Sequence, residues 1–349
     1  MAYKWSWSFG SESAALLQSD MGWSFGNTSS NAFEPRTTEQ YKPSGGPTKY
    51  SMACDADEPM QIPSAATVGM SQGVISVAVK TLIPTFSSSY EMIEVIGTVG
   101  GTGGNIELFL TTSGAIRLYV GGAFKATAAV ATDFTSWRFI SLHFDMSADP
   151  WKGRVVVDGV EVISEFTDAT AVDTVAQVRF RSLVVSDRAW YNGQIIVQDA
   201  YADASPPRYV TRISPDADVS DVGDWTPTDV SNFASTGADP FDAAKNTTEP
   251  TPTIGDEVIT GYTGDLTSLL GGVPGSVDLV TVHSYSTGAA NTARAEVGDQ
   301  AGATTTAGAT ETIGSDTTYA YASAPVAPGD SAAWEGTDTP KCKYEVVSV

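Results

Sequence analysis

An all-β chain is what this sequence predicts, and three observations predict it. Runs of five to eight residues rich in β-branched and aromatic side chains recur at roughly ten-residue spacing from about residue 73 to residue 199, separated by Gly, Asp and Ser turns. No segment of useful length carries the helical period between them. In residues 137–162, WRFISLHFDMSADPWKGRVVVDGVEV, Asp158-Gly159 stands between two valine-rich runs, the strongest short-range hairpin signal.

The first 50 residues are aromatic and irregular. WSFG occurs at 7–10 and again at 23–26, and two copies do not make a repeat architecture. They read as two short strands or turns that tuck Trp7, Phe9, Trp23 and Phe25 onto a sheet, with a helical turn over 13–18 between them. Residues 31–60, rich in Pro, Gly and Ser, read as loop with short edge strands. Strands are expected from residue 73 until Pro84 ends the run, and then over 90–97, 105–111, 115–120 and 137–144. The hairpin of 154–162 follows, and 177–182 and 188–199 close the series. The glycine-rich 100–104 is a flexible turn.

The order of strand, Gly-rich turn, aromatic-rich strand, Trp137-Arg138 with alternating apolars, and then 155–162 bearing Asp158-Gly159 resembles a laminin G or concanavalin A-like domain over roughly residues 60–200. That resemblance implies a jelly-roll β-sandwich. Pro206-Pro207 reads as a domain boundary. The chain therefore divides into an aromatic N-terminal arm with edge strands packed on the first sandwich (1–60), a concanavalin A-like sandwich (61–205) and an acidic C-terminal β module (206–349). Residues 232–253 read as a long loop or arm, and strands are expected over 277–286, 291–297, 318–322 and 344–349. This half is poor in large apolars, so its sandwich should be thin.

The net charge of −22 is uneven: residues 209–349 hold 5 Lys and Arg against 20 Asp and Glu, which is −15 of the total. Such charge argues against a phosphate-backbone partner and against an anionic membrane surface. No apolar run approaches a membrane span, and the N-terminus lacks the parts of a secretory signal. Cys54 and Cys342 are too few for a disulfide scaffold and have no metal spacing, so two free thiols are expected, with a single bridge between them as the alternative.

No catalytic set emerges, and the chain is expected to be no enzyme and to need no cofactor. A retaining glycosidase needs two carboxylates about 5–5.5 Å apart, which on a strand calls for spacing of two or four. Glu91 and Glu94 are three apart and should point to opposite faces; Glu161 and Glu165 are four apart but sit where the strand begins and ends. His143 and His283 read as strand histidines, and 99–105 lacks the ending of a phosphate loop. Calcium, which many laminin G domains hold, would fall to Asp145, Asp149 and Asp158 or to Asp55, Asp57 and Glu58, but no calcium-loop frame is present. Trp151, Trp190 and Tyr191 lie beside loops as candidates for a glycan-stacking platform, against the alternative that they pack the sandwich rim.

Residues 209–228, YVTRISPDADVSDVGDWTPT, with Pro215, Gly223, Trp225, Thr226 and Pro227, resemble the opening of modules that follow such sandwiches in tailed-phage virion proteins. The resemblance implies a virion structural protein, a capsid decoration, head fibre or tail-associated piece. It would act by burying its edge strands, aromatic N-terminus and loops against copies of itself, as a trimer, or against other virion proteins. Host glycans are the further partner, and the alternative reading is a carbohydrate-binding module for host attachment; a glycoside hydrolase ranks third.

Overall fold

The computed structural model describes residues 3–8, 18, 23–25, 33–36, 51–54, 59–67, 69–81, 89–98, 105–129, 132–168, 172–181, 190–201, 217–222, 257–262, 264–270, 277–286, 291–299, 304–313 and 318–348. The chain falls into two compact units, one built of Thr48–Val210 with most of residues 1–43, the other chiefly of Thr211–Val349.

The first unit contributes strands β1 (Tyr3–Ser8), β2 (Ser24–Phe25), β3 (Phe33–Arg36), β4 (Ser51–Cys54) and β5 (Pro59–Gln61) from its N-terminal part. There follow β6 (Gln72–Thr81), β7 (Tyr90–Gly97), β8 (Asn105–Leu110), β9 (Ile116–Val120) and β10 (Ala123–Thr127). The last are β11 (Arg138–Asp145), β12 (Trp151–Val157), β13 (Val160–Asp168), β14 (Val175–Arg181) and β15 (Trp190–Gln198). One sheet runs β13-β12-β11-β6-β15-β4-β3, with β1 also on β15; the other runs β10-β9-β8-β7-β14-β5-β2. The sheets face each other: a Cβ on Gly153 of β12 would lie 3.4 Å from Leu118 and 3.5 Å from Val120 of β9. This is a concanavalin A-like jelly-roll sandwich. Its core is the inward set of each alternation, including Ile75, Ile140, Leu142 and Val155 from one sheet and Ile106, Leu108, Leu118 and Val178 from the other, all fully buried.

The Asp158-Gly159 hairpin forms as the sequence implies. Both residues have positive φ, 51° and 81°, which is the geometry of a type I′ turn and suits the twist of β12 and β13. Asp158 also ties the turn to β11: its carboxylate accepts the Phe139 amide at 2.9 Å and the Arg138 guanidinium at 2.9 Å.

The N-terminal aromatics are spent inside the first unit. Trp5 and Trp7 on β1 face inward beside Val197 and Ile195, while Phe25 on β2 pairs with Met60 of the opposite sheet. Trp5, Trp7, Trp23 and Phe25 are all buried, with ring centroids 5.6 to 6.2 Å apart. The two WSFG copies thus supply one strand to each sheet and meet between them. This corrects the expectation that the aromatic N-terminus is presented to a partner: burying four large rings internally is the more favourable use of them. Phe9 and the turn over 13–17 lie outside the described residues.

The second unit holds β16 (Ala217–Val222), β17 (Glu257–Gly261), α1 (Leu266–Leu270), β18 (Val280–Ser286), β19 (Asn291–Asp299), β20 (Thr305–Ile313), β21 (Thr318–Ala324) and β22 (Pro340–Ser348). A five-stranded sheet, β16-β17-β22-β19-β20, packs against the β18-β21 pair as a second, smaller sandwich. Its core is thin because it is built largely of alanine: Ala295, Ala322, Ala324 and Ala327 with Leu266, Val282, Val297 and Trp334. The Trp334 indole donates to the Ala324 carbonyl at 2.9 Å. On β19 the buried Glu296 takes Arg294 at 2.7 Å, Lys343 at 3.6 Å and the Thr305 hydroxyl. Residues 232–253 lie outside the described residues. No helix among the described residues is long and apolar enough to cross a membrane.

Candidate functional site

The outer face of the seven-stranded sheet gathers the chemistry. On β8 and β9 the apolar residues Ile106, Leu108 and Leu110, and Ile116, Leu118 and Val120, point into the core, so Asn105, Glu107 and Phe109, and Arg117 and Tyr119, point outward. Strand pairing then lines up one residue per strand. Ser24 stands opposite Gln61, Gln61 opposite Arg179, Arg179 opposite Glu94, Glu94 opposite Glu107, Glu107 opposite Tyr119, and Tyr119 opposite Phe124. This row crosses the whole sheet perpendicular to the strands. With strands about 4.8 Å apart it spans roughly 29 Å.

One end of the row is aromatic. Phe109 and Tyr119 meet edge to face at 5.0 Å, and Tyr119 and Phe124 at 5.6 Å. The Arg117 guanidinium lies 5.9 Å from the Phe124 ring centroid. Phe124 is 54% exposed, on the edge strand β10. The middle of the row is charged. One carboxylate oxygen each of Glu91, Glu94 and Glu107 lie within 4.8 Å of one another. Glu94 is 5% exposed; it accepts from the Asn105 side-chain amide at 2.6 Å and has Arg179 at 3.6 Å. Arg179 in turn donates to Gln177 at 2.7 Å.

The convergence of Glu91 and Glu94 overturns the expectation drawn from their spacing. The β7–β8 register shifts between Glu91 and Ile93, and the extra residue turns Glu91 back to the face that Glu94 occupies. Among the described residues these three glutamates are the one group of side chains close enough to share a metal ion. Carboxylate oxygens suit a hard cation by ligand type. Arg179 and the Asn105 amide already meet the Glu94 oxygens, however, which makes this a hydrogen-bonding array. Such a face can stack an apolar ring surface at one end and exchange hydrogen bonds with hydroxyl groups along the rest.

The residues singled out from the sequence fall elsewhere. Trp151 is 1% exposed and points between the sheets, beside the inward set of β12, so it offers no ring face to solvent. This corrects its candidacy for stacking: the odd positions of β12 point into the core and the even ones out. Trp190 and Tyr191 on β15 pair with Thr81 and Lys80 of β6, and the side chains of Trp190 and Tyr191 lie outside the described residues. Sequence reasoning passed over Phe109, Tyr119 and Phe124. For Phe109 and Tyr119 the signal was the strict alternation of NIELFL and IRLYV, which leaves charged and aromatic residues on one face; AFKAT, which holds Phe124, alternates too weakly to give one.

His143 is on the outer face of the other sheet and is 1% exposed. Its Nδ1 lies 3.3 Å from Arg154, which can only donate, so Nδ1 accepts. Tyr201 covers it, ring to ring at 6.0 Å, and Arg154 lies 5.1 Å from the Tyr201 centroid. Burial, with the nearby Glu165 carboxylate, pushes the Tyr201 hydroxyl above the ordinary tyrosine range. Glu161 pairs with Arg154 at 3.7 Å and Glu165 with Lys152 at 3.5 Å, so these two carboxylates serve separate ion pairs. Asp145 caps Ser147 at one end of β11, while Asp158 is bound to Arg138 at the other. Asp149 is exposed, and Asp55, Asp57 and Glu58 lie outside the described residues. So do 99–104, the side chain of His283 and the side chain of Cys54; Cys342 is in no disulfide.

No family model matches the chain. No curated protein matches it either. Solved structures do. The catalytic domain of a glycoside hydrolase family 131 protein from Coprinopsis cinerea is 13% identical, covering 58% of this chain and 97% of that one at a TM-score of 0.40. The CBM40 of the Ruminococcus gnavus IT-sialidase, bound to α2,3-sialyllactose, is 15% identical over 38% of this chain and 78% of its own at 0.29. The Trypanosoma rangeli sialidase in complex with the inhibitor DANA is 10% identical over 49% of this chain, with a TM-score of 0.35, and the match spans 28% of that sialidase.

Proposed function

We propose that this protein is a non-enzymatic binding module that holds glycans against the outer face of its seven-stranded sheet. The observation that carries the proposal is the single row from Phe124 and Tyr119 through Glu107 and Glu94 to Arg179 and Gln61: aromatic at one end, hydrogen-bonding along the rest. Sugars present both an apolar ring face and a rim of hydroxyls, and this row answers both. The test is a glycan array with the full chain, followed by calorimetry on the sugars retained. Saturable binding that is lost in Phe124→Ala and Tyr119→Ala is expected; binding that both variants retain refutes the site.

The setting we propose is a tailed-phage particle, with the chain as a self-associating, trimeric surface component. The resemblance of 209–228 to virion modules and the charge of −22, which disfavours nucleic acid, support that setting. Mass spectrometry of purified particles tests it, and absence of the protein from them refutes it. A hydrolytic reading would draw on Glu94 and Glu107, which face each other across β7 and β8. Glu94, though, is buried and committed to Asn105 and Arg179. Incubation with the bound sugar should release no shorter product, and turnover that Glu107→Gln abolishes would favour the hydrolase.

A further inference from the structure

Given the glycan-binding reading above, on which this step rests, one side chain beside the row fixes a chemical feature of the ligand. Arg138, Arg154, Arg179 and Arg294 each have a carboxylate within 3.7 Å, supplied by Asp158, by Glu161, by Glu94, and by Glu296 with Glu345. Arg117 differs from them: among the described residues no carboxylate stands at ion-pair distance from it. In a chain with 41 Asp and Glu against 19 Lys and Arg, an arginine without an acid is out of pattern.

The strand pairing accounts for it. Arg117 lies on the outer face of β9 opposite Phe109 of β8, and Phe109 lies opposite Glu91 of β7, so a ring stands between the guanidinium and the glutamate along that line. Tyr119 is two residues along β9, and the Phe124 ring centroid is 5.9 Å from the guanidinium carbon. Phe109, Tyr119 and Phe124 are themselves in edge-to-face contact, so three rings surround one cation. A guanidinium stacked on a ring keeps its in-plane N–H fork for a planar anion, and apolar neighbours weaken the competition from water. Two residues along a strand is roughly 7 Å. A carboxylate carried on a sugar ring that lies over Tyr119 and Phe124 therefore comes within reach of Arg117.

We infer that the ligand carries a carboxylate on the sugar ring seated at the Phe124 end of the row, and that Arg117 is the residue that recognises it.

The experiment uses the full chain and pairs of probes that differ in charge alone: oligogalacturonate and sialyllactose, each beside its own methyl ester, which keeps the ring and removes the charge. Expected is binding of at least one acid about tenfold or more tighter than its ester, the lower end of what a hydrogen bond to a charged group contributes. Arg117→Gln should bring the acid down to the level of the ester and leave the ester unchanged, with an unaltered urea midpoint as the check that the variant folds. Arg117→Lys, which keeps the charge and loses the fork, should retain part of the preference, and added salt should narrow it by screening. An acid that binds no better than its ester, a preference that survives in Arg117→Gln, or binding of neutral sugars alone overturns this inference and leaves the glycan-binding reading standing. Binding neither to these probes nor to any sugar of the array overturns both.

Discussion

Replacing Asp158 separates two things that its turn needs. Asp158 sits at a φ of 51°, a left-handed conformation that costs an alanine roughly 1–2 kcal/mol but that Asp and Asn visit readily. Its carboxylate also accepts the Phe139 amide at 2.9 Å, and leaving that partly buried donor unmet costs about 1–3 kcal/mol. The ion pair with Arg138 has both side chains about a third exposed, so it is screened and adds about 0.2–1 kcal/mol. Asp158→Ala should thus destabilise the first unit by roughly 3 kcal/mol. Asp158→Asn keeps the turn and one acceptor, and should cost about 0.5–1 kcal/mol. Six of the eight tryptophans precede residue 210, so fluorescence during urea unfolding reports chiefly this unit. At a slope of about 2 kcal/mol/M the alanine variant should lower the midpoint by about 1.5 M. An alanine variant within about 0.5 kcal/mol of the parent, or an asparagine variant as weak as the alanine one, would refute the reasoning.

Trp23→Ala removes the ring that touches Trp5, Trp7 and Phe25, and should cost about 3–5 kcal/mol in the same assay; a loss below about 1 kcal/mol would mean that the cluster does not close the sandwich. Phe124→Ala should leave unfolding within about 0.5 kcal/mol, since the ring is largely exposed, while Trp151→Ala should destabilise by about 3–5 kcal/mol, since that ring is in the core. The reverse order in urea would invert the two faces. In the second unit, burial opposes the charge of Glu296, but hydrogen bonds from Thr305 and Arg294 and the Lys343 charge outweigh it and hold the carboxyl below the usual range. A depressed carboxyl stabilises above its unfolded value, about 4.3, and that contribution is lost as pH falls through the folded one. The thermal midpoint should therefore drop in acid, and Glu296→Gln should be less stable at neutral pH with a flatter acid limb; parallel curves would contradict this. Burial alone raises Glu311, so its charge costs stability at neutral pH, and Glu311→Gln should raise the midpoint there but not in acid.

Local rules were legible in the sequence. The Asp158-Gly159 turn depends on two residues and their φ angles, and it forms where those residues stand. The expected strand over 90–97 coincides with Tyr90–Gly97, and that over 105–111 with Asn105–Leu110 but for its last residue. Such runs alternate strongly, and one covered face is enough to hold them. Strands with weak alternation went unnoticed, β10 (AFKAT) and the threonine-rich β20 among them. Their side chains are mostly exposed or half-buried, so little in their pattern marks a face.

The sequence by itself determined the class: an all-β chain, with an aromatic first part and a second unit whose core could only be thin. It also fixed which residues alternate within each strand. Only the tertiary structure decided which half of an alternation faces inward, because a period of two is unchanged when the strand is turned over. That is why Trp151 is core and Phe124 is surface. It also decided the candidate site, since Glu94, Glu107, Tyr119 and Phe124 become neighbours through pairing of separate strands. The bulge after Glu91 belongs to the same class of fact. It is a mismatch between two strands, and a single strand read alone carries no trace of it.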